Sequence, residues 1–339
     1  MYIEKMLDEG KLPQNLEIYN SFITTRSKFL TYDHMVVSIS GGSDSDIMLD
    51  LLCRFDKSKI TFVFFDTGLE YQATKDHLKY LEEKYDIKIH VERAKKPIPI
   101  VCRDYGQPFL SKQVSEYISR LQAHDFKWED RPFDELIKEY PNCKSSLLWW
   151  CDDKGEGSKF SIKRNKWLKE FMVANPPTFK ISNKCCKYAK KDVAKDFIKR
   201  YNKVNKDNRF DLNVIGVRKA EGGVRSTAYK NCFSDNSLKN KINDYRPIFW
   251  YKDETKRVYE EFFDVTHSEC YTEYGLKRTG CAGCSYGRDF EQELEIMKKY
   301  EPKLYKAVNN IFKDSYEYTR KYREFCREMN LKKEREEER

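Results

Sequence analysis

The chain has 339 residues, of which 40% are hydrophobic and 14% aromatic, so it can bury one large core or two smaller ones and is not expected to be disordered. Its 64 basic and 55 acidic residues give a net charge of +9, a mild bias toward anionic partners. There is no apolar run of about 18 residues and no apolar segment typical of a signal peptide, so we expect a cytoplasmic protein without membrane spans and with reduced cysteines.

Residues 34–92 alternate between short apolar runs and segments with helical spacing. The runs His34–Ser40, Ile60–Phe65 and Ile87–Val91 predict buried strands. The segments Asp44–Phe55 and Tyr71–Tyr85 between them predict helices. This alternation predicts a parallel sheet with right-handed crossovers and helices on both faces, that is, an α/β fold.

Later in the chain, Asp192–Tyr201 predicts a helix and Leu212–Val217 predicts another buried strand. The sequence thus predicts four parts: an N-terminal helical segment (1–30), an α/β core (31–220) with a helical, aromatic-rich insertion near 95–180, a C-terminal part that ends in helices (221–330), and a charged tail (331–339).

A loop with two glycines follows the first predicted strand. Its residues are Ser40, Gly41, Gly42, Ser43, Asp44 and Ser45. A turn between a strand and a helix directs backbone N–H groups and a helix N-terminus at one point, which favours a bound phosphate. The glycines let an anion approach the backbone, and the serines add hydroxyl donors. A turn capped by Ser43 or Asp44, without a ligand, is the alternative.

The run Ser-Gly-Gly-x-Asp-Ser resembles the PP-loop of the ATP pyrophosphatase superfamily, which binds the pyrophosphate of ATP or the phosphates of a sulfonucleotide. The superfamily has Lys at the x position, where this chain has Ser43. The second strand ends in Asp66-Thr67-Gly68-Leu69-Glu70, which is similar to the second motif of the phosphoadenosine phosphosulfate (PAPS) reductase branch. The resemblance implies a Rossmann-like sheet that binds ATP, PAPS or adenylylsulfate, with Mg²⁺ as a further candidate.

Three basic residues are candidates for the phosphate site. Arg218 and Arg225 follow a buried strand and can each bind phosphate oxygens in a bidentate manner, in a segment that resembles the family's Gly-(Val/Ile)-Arg-x-x-Glu-x-x-x-Arg motif. Lys112 lies in a segment that resembles Pro-x-x-Ser-Lys of phage and bacterial relatives and is a weaker candidate. Solvated surface cations are the alternative for all three.

Two cysteine pairs, Cys185-Cys186 and Cys281-x-x-Cys284, are candidate metal ligands. Four thiolates can hold a zinc ion or an iron–sulfur cluster, and adjacent cysteines fit one zinc ion only with strain. The spacing resembles the set that binds a four-iron, four-sulfur (4Fe-4S) cluster in assimilatory adenylylsulfate reductases. The resemblance implies such a cluster here, and structural zinc or metal-free core thiols are the alternatives.

The catalytic nucleophile is not evident from the sequence. Sulfonucleotide reductases of the family use a cysteine in a C-terminal Glu-Cys-Gly-x-His motif, which this chain lacks. Cys326 is the one weak candidate, because Arg323 and Arg327 are close in sequence and could lower its pKa.

The resemblance leaves three functions open. The first is a PAPS-reductase-like oxidoreductase that reduces adenylylsulfate or PAPS with a thiol protein as electron donor. The second is an adenylyl and sulfur transferase that thiolates a nucleic acid, as DNA phosphorothioation and tRNA thiolation enzymes do. The segment Lys180–Asn205, which has nine basic and two acidic residues, could contact such a polyanion or could be a solvated helix face. The third is a non-catalytic nucleotide-sensing partner. The sequence does not define the oligomeric state.

Overall fold

The computed structural model describes residues 3–155, 157–158, 160–222, 228–239 and 241–337. The chain divides into two compact units. The first comprises Met1–Lys95 and Lys190–Cys281, and the second comprises Lys96–Ala189 and Ala282–Arg339. The predicted domain ranges 31–220 and 221–330 partition the chain differently and stay a prediction.

The first unit contains a mostly parallel sheet with the strand order β3-β2-β1-β4-β6-β5. The strands are β1 (Met35–Ile39), β2 (Ile60–Asp66), β3 (Ile89–Arg93), β4 (Leu212–Ile215), β5 (Phe233–Ser234) and β6 (Asn243–Tyr245). Only the β5–β6 pair is antiparallel among the described strand pairs. Because β1 lies between β2 and β4, its carboxyl end is at the point where the strand order reverses, which is where open α/β sheets bind ligands.

Helices account for much of the remaining chain. The described α-helices are α1 (Ile3–Asp8), α2 (Leu16–Thr31), α3 (Ser43–Cys53), α4 (Gln72–Tyr85), α5 (Ile98–Tyr105), α6 (Lys112–Gln122), α7 (Phe133–Glu139), α8 (Lys144–Trp150), α9 (Leu168–Ala174), α10 (Lys184–Cys186), α11 (Asp192–Val204), α12 (Asp253–Phe263), α13 (Glu269–Thr272), α14 (Phe290–Tyr300), α15 (Pro302–Ile311) and α16 (Lys313–Glu337). A π-helical turn, Lys187–Lys191, lies between α10 and α11. None of the described helices combines the length and the apolar character that a membrane crossing needs.

Both faces of the sheet are covered by helices, as the sequence predicts. Successive residues of a strand point to opposite faces. Val37 of β1 belongs to the larger apolar cluster, together with Phe22 of α2, whereas the adjacent Val36 belongs to a second cluster with Phe197 of α11. The alternation along β1 therefore confirms a Rossmann-like sheet buried on both sides.

The strands and helices predicted for residues 34–92 are all present, and the third strand begins later than predicted. Asp86 ends α4 in the left-handed conformation at φ 48°, and the Ile87 amide donates to the Glu82 carbonyl at 3.1 Å. These two residues therefore close the helix, and the strand starts at Ile89.

The second unit is helical and has an aromatic core, which confirms the character predicted for the insertion near 95–180. Trp149 and Trp150 are almost fully buried, in one apolar cluster with Phe171 of α9 and Tyr318 of α16. The Trp150 indole N–H donates to the Glu129 carbonyl at 2.9 Å, so this buried polar group has its partner. The long final helix α16 thus belongs to the same apolar core as the aromatic residues between 95 and 180.

Candidate functional site

The loop between β1 and α3 has a backbone that only glycine accommodates well. Gly41 has φ +65°, and a Cβ atom at this position would lie 2.8 Å from Thr74 Cγ2 of α4. Gly42 is the N-cap of α3, and no side chain caps the first turn there. A helix N-terminus that starts at such a glycine turn presents backbone N–H groups to an anion.

The hydroxyl groups around the loop hold it in place. The Ser40 amide donates to Ser45 Oγ at 3.0 Å, and the Ser43 amide donates to the Tyr271 hydroxyl at 3.1 Å. The Tyr271 oxygen also accepts from the Thr279 amide at 3.1 Å. Tyr271 thereby fixes the start of α3 to the segment that precedes Cys281.

Two cations converge on one oxygen of Asp44. Arg218 Nε lies 2.8 Å and Lys256 Nζ lies 3.1 Å from Asp44 Oδ1, and Arg218 Nη1 donates to Asp253 Oδ1 at 2.8 Å. The Arg218 side chain is only 9% exposed. The sequence singles out Asp44 and Arg218 as nucleotide ligands, and the structure pairs them with each other. Lys256 was not found from the sequence, because it is more than 200 residues from the loop and belongs to no recognised motif.

A buried chain of charged groups lies behind the loop. Asp46 of α3 accepts from His267 Nδ1 at 2.8 Å, and His267 Nε2 lies 2.7 Å from Glu260 of α12. His77 Nε2 of α4 is 3.1 Å from the other Asp46 oxygen. Burial alone would lower the pKa of His267, but its hydrogen bonds to Asp46 and Glu260 outweigh that effect and raise the pKa to about 9. His267 is therefore a cation at neutral pH between two carboxylates.

The second motif forms a turn at the end of β2, beside the carboxyl end of β1 in the same sheet. The Gly68 amide donates to Asp66 Oδ1 at 2.8 Å, and Thr67 Oγ1 donates to Glu70 at 2.6 Å. Burial raises the pKa of Glu70, and Lys190 and Thr67 oppose that shift. The turn is thus stabilised by its own side chains, and its strand is adjacent to the strand that carries the glycine loop.

Of the two other predicted anion ligands, one belongs to the second unit and one lies outside the described residues. Arg225 falls in the gap between residues 222 and 228. Lys112 is the first residue of α6 in the second unit, and its carbonyl accepts from Asn183 at 3.1 Å.

Cys326 lies on α16, where burial raises the pKa of its thiol. The nearby Lys166 lowers that pKa by less, and the Cys326 sulfur is 3.4 Å from the Lys166 carbonyl oxygen. The pKa of Cys326 is therefore raised, whereas Arg323 and Arg327 are expected from the sequence to lower it. Arg323 instead donates to the Arg288 carbonyl at 2.6 Å.

No disulfide joins any of the eleven cysteines, all of which belong to the described residues. In the second unit, the Cys185 thiol interacts with Cys102 and Cys186. The hydrogen bond with Cys102 raises the pKa of Cys185, as do burial and the nearby Cys284, while Cys186 opposes this shift. Cys102 lies on α5, which packs against α10, and no sequence motif identifies it.

The chemistry of these thiols suits a soft metal. Cys102, Cys185 and Cys186 bring sulfur atoms together, and sulfur ligands favour iron–sulfur clusters and zinc. Cys281 is the last residue of the first unit, where its sulfur lies 3.7 Å from Thr67 Oγ1. Within the described ranges, no group of three or more His, Cys, Asp or Glu side chains is arranged to hold a metal ion.

Comparison with known proteins identifies the family. The model of the phosphoadenosine phosphosulfate reductase domain matches residues 34–286. An uncharacterized protein of Methanocaldococcus jannaschii is 29% identical over 152 residues, which span 42% of this chain and only 28% of that protein. The solved structure of a PAPS reductase from Candida auris, in complex with phosphate, aligns at 13% identity and a TM-score of 0.40 over 83% of this chain and 94% of that one. Because the family model matches well over half of its residues, the chain belongs to the PAPS reductase domain family of the PP-loop superfamily.

Proposed function

We propose that the protein is an enzyme of sulfur chemistry that binds ATP or a sulfonucleotide at the loop Ser40–Ser45. The observation that carries this proposal is the geometry of the loop. Gly41 adopts the left-handed conformation at a place where a Cβ atom would meet Thr74, and Gly42 is the N-cap of α3 without a side-chain hydrogen bond. Because the Ser43 amide donates to Tyr271, the next amides of the first turn of α3 would bind the phosphate group of the nucleotide.

The side chains around the loop position it for this role. Arg218 and Lys256 fix Asp44, while Tyr271 fixes the amide of Ser43. Preorganised donors favour binding because they lose little freedom when the ligand arrives. The resemblance to the PAPS reductase family implies that the backbone near the turn Asp66–Gly68 frames the adenine.

We also propose that Cys185, Cys186, Cys281 and Cys284 hold a 4Fe-4S cluster, with zinc as the alternative metal. The cysteine spacing and the sulfur-rich surroundings of Cys185 support this assignment. When bound, such a cluster would supply redox chemistry and a strong local charge. The chain's own residues would bind the nucleotide and orient its phosphates.

Cys326 is partly buried and has a raised pKa, which argues against a reductase that uses this thiol as its nucleophile. A thiol with a raised pKa is a weak nucleophile at neutral pH, and burial raises the pKa of Cys326. The attacking sulfur would then come from a donor protein. Adenylylation and thiolation of a nucleic acid is the form of this reaction that the family resemblance suggests.

One experiment separates these functions. Protein purified without oxygen is incubated with labelled ATP, adenylylsulfate or PAPS. Sulfite release in the presence of a thiol reductant would identify a reductase, and pyrophosphate release that requires a nucleic acid would identify the transferase. Tight nucleotide binding without turnover would identify a sensing protein, and the absence of any nucleotide binding would contradict the proposal as a whole.

A further inference from the structure

Ser43 occupies the position where PP-loops carry lysine, and a lysine from another helix lies against its hydroxyl group. We propose that Lys256 supplies to the bound phosphate the positive charge that the loop itself lacks. This inference rests on the proposed nucleotide site and adds to it a phosphate-binding residue that no loop motif contains.

The position of the Lys256 ammonium group supports this role. Its Nζ atom lies 2.5 Å from Ser43 Oγ and 3.1 Å from Asp44 Oδ1. Glu260 Oε1 is 3.6 Å away, which is beyond normal hydrogen-bond distance. An ammonium group has three N–H donors, so these contacts leave one donor for a phosphate oxygen.

The packing of α12 keeps Lys256 at the loop. The Lys256 side chain is 17% exposed, and its neighbours Thr255 and Tyr259 are buried. Tyr259 donates to Asp50 of α3 at 2.7 Å. Two points of α12 therefore meet two points of α3, namely Lys256 with Asp44 and Tyr259 with Asp50.

The electrostatic setting also indicates an anionic ligand. The N-terminus of a helix carries partial positive charge, so a mostly buried cation there is unfavourable unless an anion is close. Asp44 is the nearest anion, but its Oδ1 atom is shared between Lys256 and Arg218. A phosphate group at the first turn of α3 would give Lys256 a further anionic partner, because Asp44 is shared with Arg218 and Glu260 lies 3.6 Å away.

The test transfers the positive charge of lysine from position 256 to position 43. We compare the full-length wild type with Lys256→Met, Ser43→Lys and the double variant Ser43→Lys/Lys256→Met. The Lys256→Met change removes the charge and keeps an unbranched stem in the packed site. Arg257→Met is the matched control, because Arg257 is the next residue of α12 and its side chain is 69% exposed. Titration calorimetry measures the affinity for ATP and for inorganic pyrophosphate, and thermal melting checks folding.

We expect Lys256→Met to weaken both affinities by about 10- to 100-fold, since a charge-assisted hydrogen bond is lost. The double variant should recover to within about threefold of the wild type, and Arg257→Met should leave the affinities unchanged. Unchanged affinity in a folded Lys256→Met, or a folded double variant that does not bind, would overturn the inference. If the variants with Met at position 256 fail to fold, Lys256→Gln, which removes the charge and keeps a polar end beside Ser43 and Asp44, takes their place and must bind ATP and pyrophosphate more weakly than the wild type. A wild type that binds neither ATP, adenylylsulfate nor PAPS would instead contradict the proposed function.

Discussion

At the scale of single residues, the shape of the phosphate loop depends on glycines at positions with little room for a side chain. Gly41 has a positive φ, and a Cβ there would meet Thr74; a Cβ at Gly216, directly after β4, would lie 3.3 Å from the Asp44 carbonyl oxygen. These constraints concern the shape of the loop. The charges that surround it come from residues distant in sequence, such as Arg218 and Lys256.

A comparison of two glycines tests the role of Gly41. Gly10 has nearly the same φ, +66°, but no atom lies within 4 Å of the place where its Cβ would be. Gly10→Ala should lower the free energy of unfolding by about 1 kcal/mol, the cost of a positive φ alone. Gly41→Ala should cost more, because its Cβ also meets Thr74, and should weaken ATP binding by about tenfold or more.

Urea unfolding and ATP titration of the two variants measure these effects. Equal losses of stability together with unchanged ATP affinity in Gly41→Ala would show that the contact with Thr74 does not shape the site.

The local sequence predicts the loop and the turn at Asp66 because each is a short motif that lies between a strand and a helix. It does not predict Lys256, His267 or Cys102. Each of these residues acts through a partner more than 80 positions away, namely Ser43, Asp46 and Cys185. Only the folded chain brings such pairs together, and a lone lysine, histidine or cysteine has no sequence pattern that distinguishes it from a surface or core residue.

At the scale of elements, helices α3 and α12 are joined by charged and polar contacts. Asp44 and Asp50 of α3 meet Lys256 and Tyr259 of α12, and His267 links Asp46 to Glu260. Because these groups are mostly buried, their contacts remain strong only while each charge keeps its partner. The start of α3, and with it the phosphate loop, is therefore sensitive to the charge of His267.

This link predicts how stability depends on pH. The pKa of His267 is raised from 6.5 in the unfolded chain to about 9 in the folded one. The stabilisation is therefore fully present below pH 6.5 and is lost as the pH rises to about 9. It amounts to about 3 kcal/mol.

Denaturant unfolding at pH 6, 7.5 and 9 should show this decline in the wild type, and His267→Gln should show less of it. His124→Gln, which changes an exposed residue of the second unit, is the control. An identical pH dependence in His267→Gln and the wild type would refute the role of His267.

At the scale of the whole molecule, the sequence predicts the α/β core well because apolar runs and helical spacing are local signals. The grouping of distant segments into the two compact units does not follow from such local signals. The aromatic core of the second unit combines Trp149 and Trp150 with Tyr318 and Tyr322 of the final helix. No local pattern connects these segments, so the sequence alone assigns α16 to a separate C-terminal part.

The cysteine assignment is testable on the intact protein. Protein purified without oxygen should contain about four iron atoms and about four sulfide ions per chain and should show the visible absorbance of an iron–sulfur cluster. Cys185→Ala or Cys281→Ala should lose most of the iron. Cys53→Ala should retain it, because Cys53 packs against the main apolar cluster, where burial raises its pKa to about 12. Zinc without sulfide would support the alternative metal, and full iron content in Cys281→Ala would exclude that residue as a ligand.

The central claim is that the first unit binds an adenine nucleotide through its phosphates at the loop Ser40–Ser45. Titration calorimetry of the wild type and Gly41→Ala with ATP, adenylylsulfate and PAPS tests this claim most directly. We expect at least one of the three nucleotides to bind the wild type in the micromolar range, at about −8 kcal/mol, and to bind Gly41→Ala at least about tenfold more weakly. Equal affinity of the two proteins for every nucleotide, or no binding to the wild type, would contradict it.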